Sequence, residues 1–231
     1  MRTLGIIGGM SWVTTQSYYK RINTLVQRRS DPMSSAPLLI ESLNFAPLHG
    51  LDSAQDWERA ADVLAQSARR LEQAGAGALV IAANSMHKVY DEIAAAVSIP
   101  IIHIAECVGV RMAQEQATNA VLIGTRNVMT ENFYRRRLVA HGVDLLPPDM
   151  ANVDALHTII YDQLMIGKRT RDAERQMKTI ITRRAQDGAE AIVLACTELE
   201  LVVDVNANIL PIFDSSRIHC EAAVDWILGK D

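Results

Sequence analysis

The chain has 231 residues, 49% of them hydrophobic, which is enough for a sizeable core and longer than a typical single domain of roughly 100–150 residues. A net charge of −4 argues against a nucleic-acid binder or a basic membrane-surface protein, and no window approaches the roughly 20 apolar residues of a membrane span. Three widely spaced cysteines (107, 196 and 220) suggest neither a disulfide framework nor a zinc knuckle. Together with an opening MRTLGIIGGMSW that lacks the apolar core of a secretory leader, they predict a cytoplasmic protein.

In chain order, an apolar strand over 3–7 runs into Gly8-Gly9-Met10-Ser11. Glycines after a strand permit a tight turn and can leave backbone N–H groups open to a carboxylate. The spacing GIIGGM is not the G-x-G-x-x-G of a dinucleotide fold, and no phosphate-cradling G-x-x-x-x-G-K-[ST] occurs. A helix follows over 14–29, then a strand over 38–43 and a loop, FAPLHGLDSAQDW, that contains His49. Helical spacing of Trp57, Ala61, Leu64, Ala68 and Leu71 predicts a second helix over 55–75. A strand over 78–82 ends in Ala83-Asn84-Ser85, with His87 on the helical turn beyond, where it either lines a site or packs. A strand over 100–104 and a helical segment with Cys107 complete the first half.

The second half repeats the pattern. A strand over 120–124 ends in Gly124-Thr125, a helix spans 170–188, a strand over 191–195 ends in Cys196-Thr197-Glu198, and a strand over 209–213 precedes a helical segment with Cys220. The cations of 168–184 alternate with Asp172, Glu174 and Asp187, as on a solvated helix face. A cysteine closing a buried strand is commonly a small core residue. At the start of a helical turn, amide donors can also bring such a thiol into working range. Cys107 and Cys220 read as structural.

The two halves match each other. GAGALVIAANS (75–85) aligns with GAEAIVLACTE (188–198) at an offset of 113 residues. LGIIGGM aligns with AVLIGTR, TQSYYKR with TENFYRR, and IPIIHIAE with LPIFDSSR, in the same order. This predicts an α/β protein of two pseudo-twofold-related halves, 1–115 and 116–231. Each would have a mostly parallel sheet flanked by helices, the C-terminal helix would be free to pack back on the first half, and strand ends would open onto a cleft.

LGIIGGMSWVTTQSYYKRIN, AANSMHK, LIGTRNVMTENFYRRRL and LACTELELVV together resemble the aspartate/glutamate racemase family, within the wider Asp/Glu/hydantoin racemase superfamily, over the whole chain. The resemblance implies a homodimer that racemises a small amino acid, aspartate or glutamate, with no pyridoxal phosphate, other cofactor or metal. Two cysteines on opposite faces of the substrate would exchange the Cα proton. Carried over by position, Cys196 matches the second catalytic cysteine, and Thr197 its substrate-binding neighbour. Asn84 and Ser85 match the Asn-Thr pair that holds the α-carboxylate, and Met10 and Thr125 match substrate-contact positions. Gly9, His49, His87 and Lys168 are further candidates.

The first catalytic cysteine falls at Ala83, which has no proton to exchange. Three readings stay open: a replaced cysteine, a natural one-thiol enzyme such as a decarboxylase or isomerase, and a small-acid binding protein without activity. The family's arginine for the distal carboxylate has no counterpart in 45–57, and its lysine falls at Met165, near Lys168.

Overall fold

The computed structural model describes residues 1–230, which fall into two compact units: residues 1–104 with 219–230, and residues 105–218. Each unit holds one four-stranded, wholly parallel sheet.

In the first unit the strands are β1 (Leu4–Gly8), β2 (Leu38–Ser42), β3 (Ala78–Ile81) and β4 (Ile101–Ile102), ordered β2-β1-β3-β4. β1 and β3 are buried along their whole length, as central strands covered on both faces must be, and both are continuous apolar runs rather than alternating ones. The helices that cover this sheet include α1 (Trp12–Arg29) and α2 (Ala54–Gln73). The first of these buries Tyr18, Ile22 and Val26, a stripe at helical spacing. The second starts from a capping box, in which Ser53 Oγ accepts from the Asp56 N–H and Asp56 returns the bond to the Ser53 N–H. A short helix, α3 (Tyr90–Ala94), precedes β4.

The second unit begins with α4 (Ile104–Gln114), whose first residue is the last of unit one. Its strands are β5 (Asn119–Gly124), β6 (Asp144–Leu145), β7 (Ile192–Ala195) and β8 (Ile212–Asp214), in the order β6-β5-β7-β8. That is the order of the first sheet, strand for strand. Helices α5 (Arg126–Thr130), α6 (Asn132–Ala140), α7 (Met150–Asp162) and α8 (Arg171–Gln186) connect them. Ala173, Met177, Ile180 and Ile181 of α8 join Ile192, Leu194 and Cys196 in one apolar cluster. The last helix, α9 (Ser215–Ile227), contributes Cys220, Ala223, Val224 and Ile227 to the core of the first unit, against Leu4, Ile6 and Tyr18.

Two predicted strands are displaced. The one over 100–104 is only two residues long, because the chain turns into α4 at Ile104, and the one over 209–213 begins at Ile212. The basic 168–184 stretch is a solvated face, with Arg169 paired to Glu174 and Arg184 to both Asp187 and Asp149. No helix among the described residues is long and apolar enough to cross a membrane.

Candidate active site

In a parallel sheet the chemistry-bearing side chains belong at the carboxyl ends of the strands. Four turns leave the four central strand ends, two in each unit.

In the first unit, β1 ends in Gly8-Gly9. Gly9 has φ +84°, and a Cβ there would lie 2.2 Å from the Leu43 carbonyl oxygen, so only glycine fits. Its N–H donates to Thr15 Oγ1 at 2.8 Å. This corrects the expectation of an open amide. That donor is spent inside the turn, and the role of Gly9 is to let β1 pass close to the chain after β2. Met10 is buried in the same apolar cluster as Ala83 and Met86.

β3 ends in Ala83-Asn84-Ser85 and continues as a 3₁₀ turn over Ser85–Val89. Asn84 is 4% exposed, and neither atom of its side-chain amide has a hydrogen-bond partner among the described residues. Such a group is expensive to leave without a ligand. Ser85 is half-buried beside it. His87 is buried and packs on the turn: its Nδ1 lies 2.9 Å from the Ala83 carbonyl oxygen, and its Nε2 accepts from the Ile104 N–H at 3.2 Å.

In the second unit, β5 ends in Gly124-Thr125. Thr125 is the N-cap residue of α5, yet its hydroxyl makes no capping bond, is buried and has no partner among the described residues. β7 ends in Cys196 and runs into a 3₁₀ turn over Thr197–Leu201. Cys196 is 4% exposed. Its Sγ donates to Glu198 Oε2 at 3.2 Å, and Thr197 Oγ1 donates to the same oxygen at 2.8 Å. Glu198 is itself only 3% exposed. Burial pushes the Cys196 thiol well above its ordinary range, and the Glu198 charge adds to the shift; the Glu198 and Leu199 amides of the turn oppose it without cancelling it. The thiol is thus raised, not lowered as its place at the start of a helical turn suggests. The turn is a short 3₁₀ one, and desolvation plus a neighbouring carboxylate outweigh its amides.

His49 lies exposed in its loop, its ring 5.8 Å edge-on from Phe45, and Lys168 is exposed. The partner of the thiol, Glu198, is not among the residues the sequence singles out. Its place two residues after the cysteine is visible in the sequence, but only the 3₁₀ turn brings its carboxylate back to the sulfur. No group of three or more metal-ligating side chains arranged to hold an ion occurs among the described residues.

The chain is thus a duplicated parallel α/β protein with a buried thiol–carboxylate pair at the end of β7 and an unpartnered amide at the equivalent end of β3 in the other sheet. The sequence profile of the Asp/Glu/Hydantoin racemase family matches residues 7–223, and the chain belongs to that family. Among curated relatives, it is 24% identical over 229 residues, 98% of each chain, to the broad specificity amino-acid racemase RacX of Bacillus subtilis (strain 168). Among solved structures, an Asp/Glu racemase candidate from Yersinia pestis is 36% identical, with a TM-score of 0.89 over 99% of this chain and 100% of that one. An aspartate racemase homologue from Pyrococcus horikoshii OT3 is 28% identical, with a TM-score of 0.83 over the same shares.

Proposed function

We propose that the protein is a cofactor-independent, aspartate- or glutamate-type amino-acid racemase in a form crippled for racemisation, in which Cys196 carries the proton chemistry and Ala83 occupies the place of the first thiol. The observation that carries this reading is the buried Cys196–Thr197–Glu198 arrangement at the end of β7. Membership of the racemase family supports it.

The resting thiol is protonated, because burial and the Glu198 charge oppose a thiolate. For Cys196 to act as a base, its proton passes to Glu198 Oε2, with which it is already hydrogen-bonded. The thiolate then takes the substrate Cα proton, and the electron pair left on Cα is delocalised into the α-carboxylate. Asn84 and Ser85 hold that carboxylate, with Met10, Thr125 and Thr197 completing the contacts. The unpartnered amide of Asn84 and hydroxyl of Thr125 support their assignment as ligand-binding groups. Ala83 has no proton to deliver, so the proton returns from Cys196 to the face it left. The substrate is exchanged but not inverted.

The loop over 45–57 has no arginine or lysine, which leaves the distal carboxylate weakly specified and a wider substrate range open. We place the protein in the cytoplasm as a homodimer.

The test is the Ala83→Cys variant. It should racemise aspartate while the parent does not. A variant that binds aspartate and stays inert would refute the two-thiol assignment. A second reading rests on the protonated state of Cys196: a thiol poised to donate also suits a single-thiol decarboxylase. There the C–C bond to one carboxylate breaks, CO₂ departs while the bond pair stays on Cα, and Cys196 gives its proton to that carbanion and becomes a thiolate, which is reprotonated from solvent. Turnover of a malonate-type diacid with Ala83 in place would favour it.

A further inference from the structure

The geometry points to His87 as a positioning residue that sets where the Asn84 amide points, acting through its Nδ1–H as a neutral imidazole; this rests on the proposed assignment of Asn84 to the substrate carboxylate.

The two ring nitrogens admit one protonation state. Nδ1 faces a carbonyl oxygen, that of Ala83, at 2.9 Å and must carry the hydrogen. Nε2 faces a donor, the Ile104 N–H, at 3.2 Å and must offer a lone pair. An imidazolium would put two N–H groups face to face, and the other tautomer would leave both bonds unmade. The ring is 2% exposed and walled by other rings: His103 at 4.5 Å, His219 at 6.0 Å, and Tyr90 nearly parallel at 6.4 Å. With both nitrogens engaged, His87 has no nitrogen left to serve as an acid or base toward substrate.

What it does control is the turn. The His87 N–H donates to the Asn84 carbonyl at 3.2 Å while its side chain donates to the Ala83 carbonyl. One residue therefore fixes two successive peptide groups after β3. The Asn84 side-chain amide is the polar group that this double tether leaves without a protein partner. A rotation of the 83–84 peptide by a few tens of degrees would turn that amide away from any carboxylate it meets, so the tether determines binding geometry without touching the reacting atoms.

Two substitutions separate the donor from the rest of the ring. His87→Asn keeps an N–H donor at the Nδ1 position, whereas His87→Gln places its amide near the Nε2 position and loses that donor. Aspartate affinity, read by calorimetry, should stay within about threefold of the parent in His87→Asn and weaken about tenfold in His87→Gln, the scale of one hydrogen bond. The exchange rate of the aspartate α-proton at saturation should be the same in both. Equal losses in the two variants, or none in either, would overturn the proposal. Nitrogen NMR of the intact parent protein gives a check that needs no aspartate. His87 should appear as the Nδ1–H tautomer at neutral pH, and the Asn84 side-chain amide resonances should move in His87→Gln and hold in His87→Asn. An Nε2–H or charged ring, or an Asn84 signal indifferent to both changes, would also overturn it. A parent that binds no aspartate but shows this NMR pattern would count against the proposed function and not against the tether.

Discussion

Cys196 is a thiol that two effects, burial and the Glu198 charge, hold in its protonated form. It should therefore alkylate with iodoacetamide more slowly than a free cysteine at pH 8, and gain reactivity only as pH rises well past the ordinary thiol range near about 8.5. Glu198→Gln removes both the charge and the proton acceptor. The thiol pKa should fall, so that alkylation speeds up, while exchange of the substrate α-proton slows by about 10²-fold or more. Parallel alkylation and exchange assays on that variant read the two effects separately, and a change of the same sign in both would contradict the role given to Glu198. Gly9 is fixed by sterics. An alanine there meets the Leu43 backbone at 2.2 Å with φ at +84°, so Gly9→Ala should lower the denaturant midpoint clearly, where a surface Gly→Ala would not.

The elements that present these residues depend on their backing helices. Thr170 Oγ1 caps α8 by accepting from the Ala173 N–H at 3.1 Å and donates to Gln163 Oε1 at 2.9 Å. Thr170→Ala should cost about 1 kcal/mol, measured by urea unfolding. Legibility also divides at this scale. The central strands are readable because a strand buried on both faces must be a continuous apolar run, as in Leu4–Ile7, Ala78–Ile81 and Ile192–Ala195. β6 escapes because two residues, one of them Asp144, carry no period. α7 escapes although Val153, Leu156, Ile159 and Ile160 keep helical spacing behind an Asp149 cap, since Pro147-Pro148 reads as loop. For the site, the strand-end positions of Asn84, Thr125 and Cys196 follow from the repeat. The Glu198 bond and the tautomer of His87 do not, because both depend on which atoms lie 3 Å away.

The molecule as a whole is a chain that uses one topology twice, with the order β2-β1-β3-β4 recurring as β6-β5-β7-β8. The repeat in the sequence and the repeat in the sheets are the same fact, because matching glycines, Gly8 and Gly124, end the matching strands β1 and β5. The C-terminal helix α9 ties the end of the chain into the first unit through His219, which is fully buried. Its Nε2–H donates to the Ile102 carbonyl and its Nδ1 accepts from the Tyr18 hydroxyl, both at 2.9 Å. Burial pulls its pKa down to about 4, from an ordinary value near 6.5. The unfolded chain therefore binds this proton more readily than the folded one. Stability should fall as pH drops from about 6.5 to about 4, by about 3 kcal/mol from this group. Unfolding free energies across that window, with the His219 ring followed by NMR, check it; a ring that titrates near 6.5 would contradict the burial argument.

The central claim is that Cys196 alone transfers the substrate proton. Proton NMR of L- and D-aspartate incubated with the protein in D₂O tests it most directly. The account predicts that the α-proton of one enantiomer is replaced by deuterium without inversion, and that Cys196→Ser abolishes the exchange. Equal exchange of both enantiomers, or exchange that survives Cys196→Ser, would contradict it.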